Sequence, residues 1–119
     1  MKSYTDVEQS KKLAEILPLE SADMAYLWHS TSDNPTWRYD NVPMILADVP
    51  INDLTCDALP CWSLAALLSV IPNVSINTFK DRKWNAMVQH GDKMIYGDKD
   101  TPVDACYEII IKLYELKLL

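Results

Sequence analysis

The stretch PVDACYEIIIKLYELKL, residues 102–118, decides the fold of this chain. Pro102 suits the first turn of a helix, Thr101 before it can cap that helix, and Asp104 lies where a carboxylate favours the helix dipole. At 100° per residue the polar side chains fall on one narrow stripe, formed by Asp104, Glu108, Lys112 and Glu115. The apolar arc that remains covers roughly 240°, whereas a surface helix has about 100°. We therefore expect a C-terminal helix that is covered on more than one side, by a sheet and a second helix or by a second copy of the chain.

A second apolar helix is predicted in the middle of the chain, at residues 60–71 with the sequence PCWSLAALLSVI. A proline stands in its first turn, good helix formers follow, and only Ser63 and Ser69 interrupt the apolar surface. A helix that is apolar on all sides is a buried one. We therefore expect these residues to form the central helix of the fold.

The strongest hairpin signal is the pair of segments WNAMVQ (84–89) and KMIY (93–96), which flank His90, Gly91 and Asp92. Gly97 and Asp98 are expected to end the second strand, and residues 74–80 are expected to add a third. Residues 5–17 have helical periodicity, with Thr5 and Glu8 spaced as a capping box. Residues 19–59 predict only one or two short strands in long loops.

Together these patterns predict an α+β fold. Its antiparallel sheet has three to five strands, with a buried central helix and a long C-terminal helix packed on one face. The first helix is expected to be peripheral. The length of 119 residues is typical of one domain, so residues 1–119 are expected to form a single domain.

Composition excludes several classes of protein. Hydrophobic residues make up 49% and charged residues 24% of the chain, as in ordinary globular proteins. The longest apolar run, residues 64–68, is too short to cross a membrane, and the first residues lack the apolar segment of a secretory signal, so we expect a cytoplasmic protein. Two glycines are too few for phosphate-binding loops, and we expect no cofactor.

Cysteine usage points to reduced thiols. The chain has three cysteines, an odd number that is too small for a disulfide framework. Cys56 and Cys61 lack the second pair of ligands that a structural zinc ion needs, so no metal is expected. Cys61 lies in the first turn of the predicted central helix, where a thiol can become reactive, but burial as a small apolar side chain is the interpretation we favour.

The net charge of −6 is concentrated in one segment. Residues 20–60 contain seven Asp and Glu residues against Arg38 alone, while the flanking segments are balanced. Phosphates would be repelled there, which disfavours nucleic acid and anionic membranes as partners. The charge favours a protein partner that is basic or neutral.

The segment at residues 28–40 is the predicted binding site, and it mixes aromatic rings with carboxylates. Its candidate binding residues are Trp28, His29, Trp37, Arg38, Tyr39 and Asp40. Aromatic faces beside carboxylates suit a cationic group, either a ligand amine or a lysine or arginine of a partner. The competing interpretation is that these rings fill the edge of the core beneath a loop.

Two further segments could carry function. Residues 80–84, KDRKW, run from Lys80 to Trp84 and could bind single-stranded nucleic acid, although a solvated loop is the interpretation we favour. His90, in the predicted turn, is expected to be a solvated residue.

Three segments resemble a known group of proteins: residues 8–24 (EQSKKLAEILPLESADM), residues 59–68 (LPCWSLAALL) and residues 102–108 (PVDACYE). The group consists of small uncharacterised proteins of Bacteroidales genomes and their prophages or mobile elements. The resemblance covers about half of the chain and implies a bacterial or phage cytoplasmic protein. It implies no activity, ligand or catalytic residue.

These observations lead to three hypotheses about function. The first is a non-enzymatic protein-interaction or regulatory protein of a phage or mobile element, which could form a homodimer through the C-terminal helix. The second is a small enzyme or ligand-binding domain that uses residues 28–40, with His29 or Cys61. The third is a weak single-stranded nucleic-acid binder that uses residues 80–84.

Overall fold

The computed structural model describes residues 1–29, 37–47, 51, 57–78 and 83–119, and it has the predicted α+β fold with two antiparallel sheets. Its elements, in chain order, are α1 (Val7–Ala14), β1 (Met24–His29), β2 (Arg38–Tyr39), β3 (Met44–Ile45), β4 (Ala58–Cys61), α2 (Leu64–Val70), β5 (Val74–Thr78), β6 (Trp84–His90), β7 (Lys93–Lys99) and α3 (Pro102–Glu115). Within the described ranges, no helix has both the length and the apolar character needed to cross a membrane.

The chain divides into two compact units. The helix–meander unit comprises Met1–Thr5 and Leu64–Leu119, and the short-strand unit comprises Asp6–Ser63. The expected single domain stays a prediction, and each unit is described by itself below.

In the helix–meander unit, the three strands β5, β6 and β7 form an antiparallel meander in that order. Ile76 pairs with Ala86, which pairs on its other side with Gly97. Helix α3 packs on β6 and β7, and α2 packs on α3. The buried apolar residues of this unit are Ala66, Leu67, Ile71, Ala86, Val88, Ile95, Val103, Ala105, Cys106, Ile109, Ile110 and Leu113. The predicted meander, with the C-terminal helix on one face, is confirmed.

The hairpin between β6 and β7 is tighter and longer than predicted. His90 pairs with Lys93, so the loop contains only Gly91 and Asp92. Gly91 has a φ of 61°, which is the conformation that glycine adopts at the first central position of a type II′ turn. The prediction that Gly97 and Asp98 end the second strand is wrong, since both belong to β7, which continues to Lys99.

Gly97 lies where α3 crosses β7. A Cβ atom at this position would lie 2.5 Å from the Ala105 carbonyl oxygen and 3.3 Å from the Glu108 Cβ atom. Real Cβ atoms do not approach backbone that closely, so the helix can lie on this strand only because residue 97 has no side chain.

Helix α3 begins as predicted and buries a narrower arc than expected. The Thr101 hydroxyl accepts the Asp104 backbone N–H at 3.1 Å, which confirms the predicted cap. At 100° per residue the buried residues span roughly 160°, and Tyr107, Ile111 and Tyr114 lie outside that arc. The helix ends at Glu115 and not at the predicted residue 118.

Helix α2 is shorter than predicted. It begins at Leu64, because Pro60 and Cys61 belong to β4, where they pair with Ala25 and Met24 of β1. The expectation that the helix is buried on all sides is also wrong, since Ala65 and Ser69 are exposed. Seven residues form only two turns, so one side faces the core and the other faces water.

In the short-strand unit, β1 is the central strand. Met24 pairs with Ile45 of β3 and also with Cys61 of β4, and the far end of β1 pairs with β2. Helix α1 packs against β4. The buried apolar residues of this unit are Leu13, Leu17, Ala25, Tyr26, Leu46, Leu59, Cys61 and Trp62.

Helix α1 is capped one residue later than predicted. The capping box is formed by Asp6 and Gln9, with the Asp6 carboxylate accepting the Gln9 backbone N–H at 2.8 Å. The predicted box of Thr5 and Glu8 is therefore wrong. Thr5 is fully buried, so its side chain is not at the exposed end of the helix.

Side-chain hydrogen bonds join distant segments of the short-strand unit. The indole N–H of Trp62 donates to the Ser21 hydroxyl at 2.9 Å. The Asp23 carboxylate accepts the Ser63 backbone N–H at 2.9 Å and also the Ser63 hydroxyl. Both links hold the end of β4 to the chain just before β1.

Candidate functional site

The antiparallel ladder between β1 and β2 brings five of the six predicted binding residues together. Trp28 pairs with Tyr39 and His29 pairs with Arg38. The Asp40 backbone N–H donates to the Leu27 carbonyl oxygen at 3.0 Å, which extends the contact by one residue. Residues 30–36 of the predicted site lie outside the described residues.

One face of this ladder is aromatic. The ring centroids of Trp28 and Tyr39 lie 4.7 Å apart at an interplanar angle of 64°, an edge-to-face contact. Lys11 of α1 places its Nζ atom 5.9 Å from the Tyr39 ring centroid. The cation beside this ring is thus a lysine of the same chain, whereas the prediction was of a ligand amine or a lysine or arginine of a partner, and that stays a prediction.

The opposite face of the ladder carries a histidine and a carboxylate. Successive strand residues point to opposite faces, so His29 lies opposite the Trp28 ring, and Asp40 lies on the diagonal across the ladder. The His29 Nε2 atom is hydrogen-bonded to the Asp40 carboxylate. Both side chains stay accessible, at 41% and 38% exposure.

A carboxylate that orients an imidazole prepares the second ring nitrogen to accept or donate a proton. Nucleophilic or metal chemistry would need a further group beside that nitrogen. Among the described residues, no three His, Cys, Asp or Glu side chains lie close enough to hold a metal ion. The pair can therefore act as an exposed proton acceptor or as a polar contact for a partner.

The sixth predicted residue, Trp37, is followed along the chain by three further exposed apolar side chains. Trp37 is 58% exposed, and Arg38 is exposed as well. We call these four residues, Trp37, Val42, Met44 and Ile45, the β2–β3 surface. Met44 and Ile45 follow each other in β3 and therefore point to opposite faces of the strand. Pro43 and Leu46, on either side of β3, are buried. Strand β3 pairs with the first two residues of β1. Sequence reasoning missed Val42, Met44 and Ile45, because an apolar run in a strand is ordinarily assigned to the core.

The other candidate residues do not join this cluster. Cys61 lies in β4, not in the first turn of a helix, and it is fully buried, so the predicted basis for its reactivity is wrong. Cys106 is also fully buried, and burial raises the pKa of its thiol to about 11. His90 is exposed at the end of β6. Lys83 is exposed, Trp84 begins β6, and residues 79–82 lie outside the described residues, as does Cys56.

The two units differ in charge. The short-strand unit contains ten Asp and Glu residues against three Lys and Arg residues, a net charge of −7. The helix–meander unit contains seven against eight, a net charge of +1. The β2–β3 surface therefore belongs to the unit that carries all of the excess negative charge.

No protein-family model matches the sequence, and no curated protein or solved structure is significantly similar to it. The resemblance to proteins of Bacteroidales and their mobile elements stays a prediction.

Proposed function

We propose that this chain is a protein-interaction module that binds a basic segment of a partner protein through the β2–β3 surface. One combination carries the proposal: four apolar side chains are exposed within nine residues of the chain, and the short-strand unit that contains them has a net charge of −7. Several large apolar side chains exposed on one short segment favour an interaction site, because soluble proteins rarely expose large apolar patches. The negative field would attract a cationic partner and repel polyanions.

Two side chains of the same segment, residues 37–45, support recognition of a basic partner. Asp40 is 38% exposed and can accept a hydrogen bond from a lysine or arginine beyond the one it shares with His29. Trp37 offers an exposed aromatic face at the start of β2. We also propose a regulatory role in the cytoplasm of a bacterium that carries a phage or mobile element, in agreement with the buried thiols of Cys61 and Cys106.

Site-specific photo-crosslinking in bacterial cytoplasm tests this proposal. A photoreactive amino acid at position 37 is compared with the same residue at position 69, which is exposed in the other unit. We expect one defined protein to be captured from position 37 alone, and its binding to weaken with increasing salt. Equal capture from both positions would contradict the proposal.

A matched pair of substitutions measures how much the β2–β3 surface contributes to binding of the captured protein. Ile45→Lys adds a positive charge to the β2–β3 surface, where residue 45 is 71% exposed. Leu119→Lys makes the same type of change at an exposed position of the other unit. We expect the first variant to weaken binding about tenfold or more and the second to leave it unchanged. Unchanged binding by Ile45→Lys would reject the β2–β3 surface.

The contact between His29 and Asp40 favours a second function, binding of a small cationic ligand at the β1–β2 ladder. Amide and imidazole NMR signals can be followed while butylammonium or guanidinium is added. This function predicts saturable shifts at His29 and Asp40 that Asp40→Asn abolishes and that Asp92→Asn, in the exposed hairpin turn, does not. Linear shifts over the whole surface would leave protein binding as the only proposal. Binding of single-stranded nucleic acid through residues 80–84 stays a prediction.

A further inference from the structure

In the part of the chain that the structure describes, no strand pairs with the outer edge of β7. In a two-residue hairpin the closing pair, here His90 and Lys93, exchanges hydrogen bonds, and the pattern alternates from there. Met94, Tyr96 and Asp98 therefore direct their N–H and C=O groups away from β6. Within the described residues, β7 pairs with β6 alone. Such an edge can add another strand.

The side chain of Lys112 lies on this edge. Its Nζ atom donates to the Tyr96 carbonyl oxygen at 2.5 Å. One turn back on α3, the Glu108 carboxylate holds the same Nζ atom at 3.0 Å. An ammonium group in this position must be displaced before another strand can pair with β7. A lysine side chain placed at the edge of a sheet is a known protection against strand addition, and here it comes from the helix that packs on the sheet.

Apolar side chains surround the lysine. A groove of about 320 Å³ is lined by Met94, Ile95, Tyr96, Lys112, Glu115 and Leu116. Met94, Tyr96 and Leu116 are 40%, 47% and 50% exposed. The edge thus combines backbone groups that face no described strand with apolar side chains that an added strand would cover.

We propose that Lys112 blocks the edge of β7, and that its displacement allows β7 to pair with β7 of a second copy of this chain. A two-fold pair centred on Tyr96 would set Lys93 opposite Lys99 twice, which like charges disfavour. A pair centred on Ile95 sets Met94 opposite Tyr96 twice, and Ile95 opposite itself. Its like-charged pair, Asp92 with Asp98, involves the turn residue Asp92 and lies outside the paired part of β7. The strand is therefore self-complementary in that register. The interface lies on β7, whereas the sequence predicted one on the C-terminal helix.

Analytical ultracentrifugation of matched lysine variants tests whether Lys112 prevents dimerisation. Lys112→Met removes the ammonium group, Lys112→Arg keeps a charged donor, and Lys117→Met makes the same charge change beyond the end of α3. We expect Lys112→Met to dimerise at a concentration about tenfold or more below the other two and the natural chain. Equal association of all four proteins would overturn the proposal.

A second substitution locates the interface. Adding Met94→Lys to Lys112→Met places a charge on the edge and is expected to restore the monomer. Adding Leu19→Lys, at an exposed position of the short-strand unit, is expected to leave the dimer intact. Association that survives Met94→Lys would mean that another surface is responsible, and it would overturn the proposal.

Amide hydrogen exchange measures the edge residue by residue, first in the natural chain and then in the Lys112→Met variant. In the natural chain at low concentration, the amides of Met94, Tyr96 and Asp98 are expected to exchange much faster than those of Ile95, Gly97 and Lys99. In the Lys112→Met dimer the first three should become protected. Protection of all six amides in the dilute natural chain would show that the edge is already occupied and would overturn the proposal.

Discussion

The helix–meander unit and the short-strand unit are stabilised in different ways. The first has strands of five to seven residues and a 14-residue helix, and it buries a continuous apolar face. The second has strands of two to six residues. Hydrogen bonds of Trp62 and Ser63 join the end of β4 to the segment just before β1. Short ladders supply few backbone pairs, so individual side chains matter more there. The β2–β3 surface and the excess negative charge belong to this second unit.

The largest expected effect is that of Trp62→Ala, which tests whether the short-strand unit depends on one side chain. Trp62 is fully buried and its indole N–H is bonded to Ser21, so we expect the free energy of unfolding to fall by about 3–5 kcal/mol. The measurement is urea unfolding, with the labelling rate of the buried Cys61 thiol as a local reporter. Trp37→Ala, at an exposed ring, should change stability by less than about 0.5 kcal/mol. Equal effects of the two substitutions would contradict the comparison.

The next largest effect concerns the Cys106 thiol in the helix–meander unit, since burial raises its pKa from 9.0 to about 11. Below pH 9 the thiol is protonated in both the folded and the unfolded chain. Between pH 9 and 11 the unfolded chain ionises first, so the folded state loses about 2–3 kcal/mol relative to neutral pH. Cys106→Ala should remove this part of the pH dependence of unfolding. Identical pH profiles for the two proteins would show that the thiol is not buried as described.

Gly97→Ala tests the close approach of α3 to β7. A methyl group 2.5 Å from the Ala105 carbonyl oxygen must push the helix away, and we expect a loss of about 1–3 kcal/mol, measured by thermal unfolding. Gly91→Ala is the matched control, because its methyl group meets open space and only the positive φ opposes it, at about 1 kcal/mol. A smaller loss for Gly97→Ala than for Gly91→Ala would mean that helix and strand adjust without strain.

The smallest expected effect is a gain in stability from Lys117→Gly. Lys117 has a φ of 60°, and the Leu118 N–H donates to the Leu113 carbonyl oxygen at 2.9 Å, which is the Schellman ending of a helix. Glycine adopts this conformation without steric cost, so we expect about 0.5–1 kcal/mol of stabilisation in thermal unfolding. Lys117→Ala removes the same charge and should give no gain. A gain with alanine would assign the effect to charge instead of backbone conformation.

The predictions that held rest on short-range signals. Thr101 and Pro102 mark the start of α3, because capping and the fixed φ of proline act within one turn. Gly91 marks the hairpin, because a two-residue turn needs a positive φ there. In residues 19–59, by contrast, the pattern predicted one or two strands, whereas β1, β2, β3 and the first half of β4 lie there. Two-residue strands carry no periodicity that sequence can reveal.

About half of the candidate site followed from sequence. The aromatic and acidic composition of residues 28–40 identified the segment, and the ladder then joined its two ends. The contact of Lys11 with Tyr39 could not be predicted, since the two residues belong to different elements that meet only in the folded unit. The exposure of Ile45 could not be predicted either, since an apolar residue of a strand is ordinarily assigned to the core.

The amino-acid sequence alone determined the α+β class, the meander, the cap and start of α3 and the uneven charge, because each depends on composition or on residues within one or two turns of each other. Tertiary structure decided the rest. Pro60 and Cys61 became a strand and not a helix because they pair with Ala25 and Met24 of β1, more than thirty residues away. His29 met Asp40, and Lys112 met the edge of β7, for the same reason. Contacts between distant segments are made only when strands and helices have packed, and local propensity does not contain them.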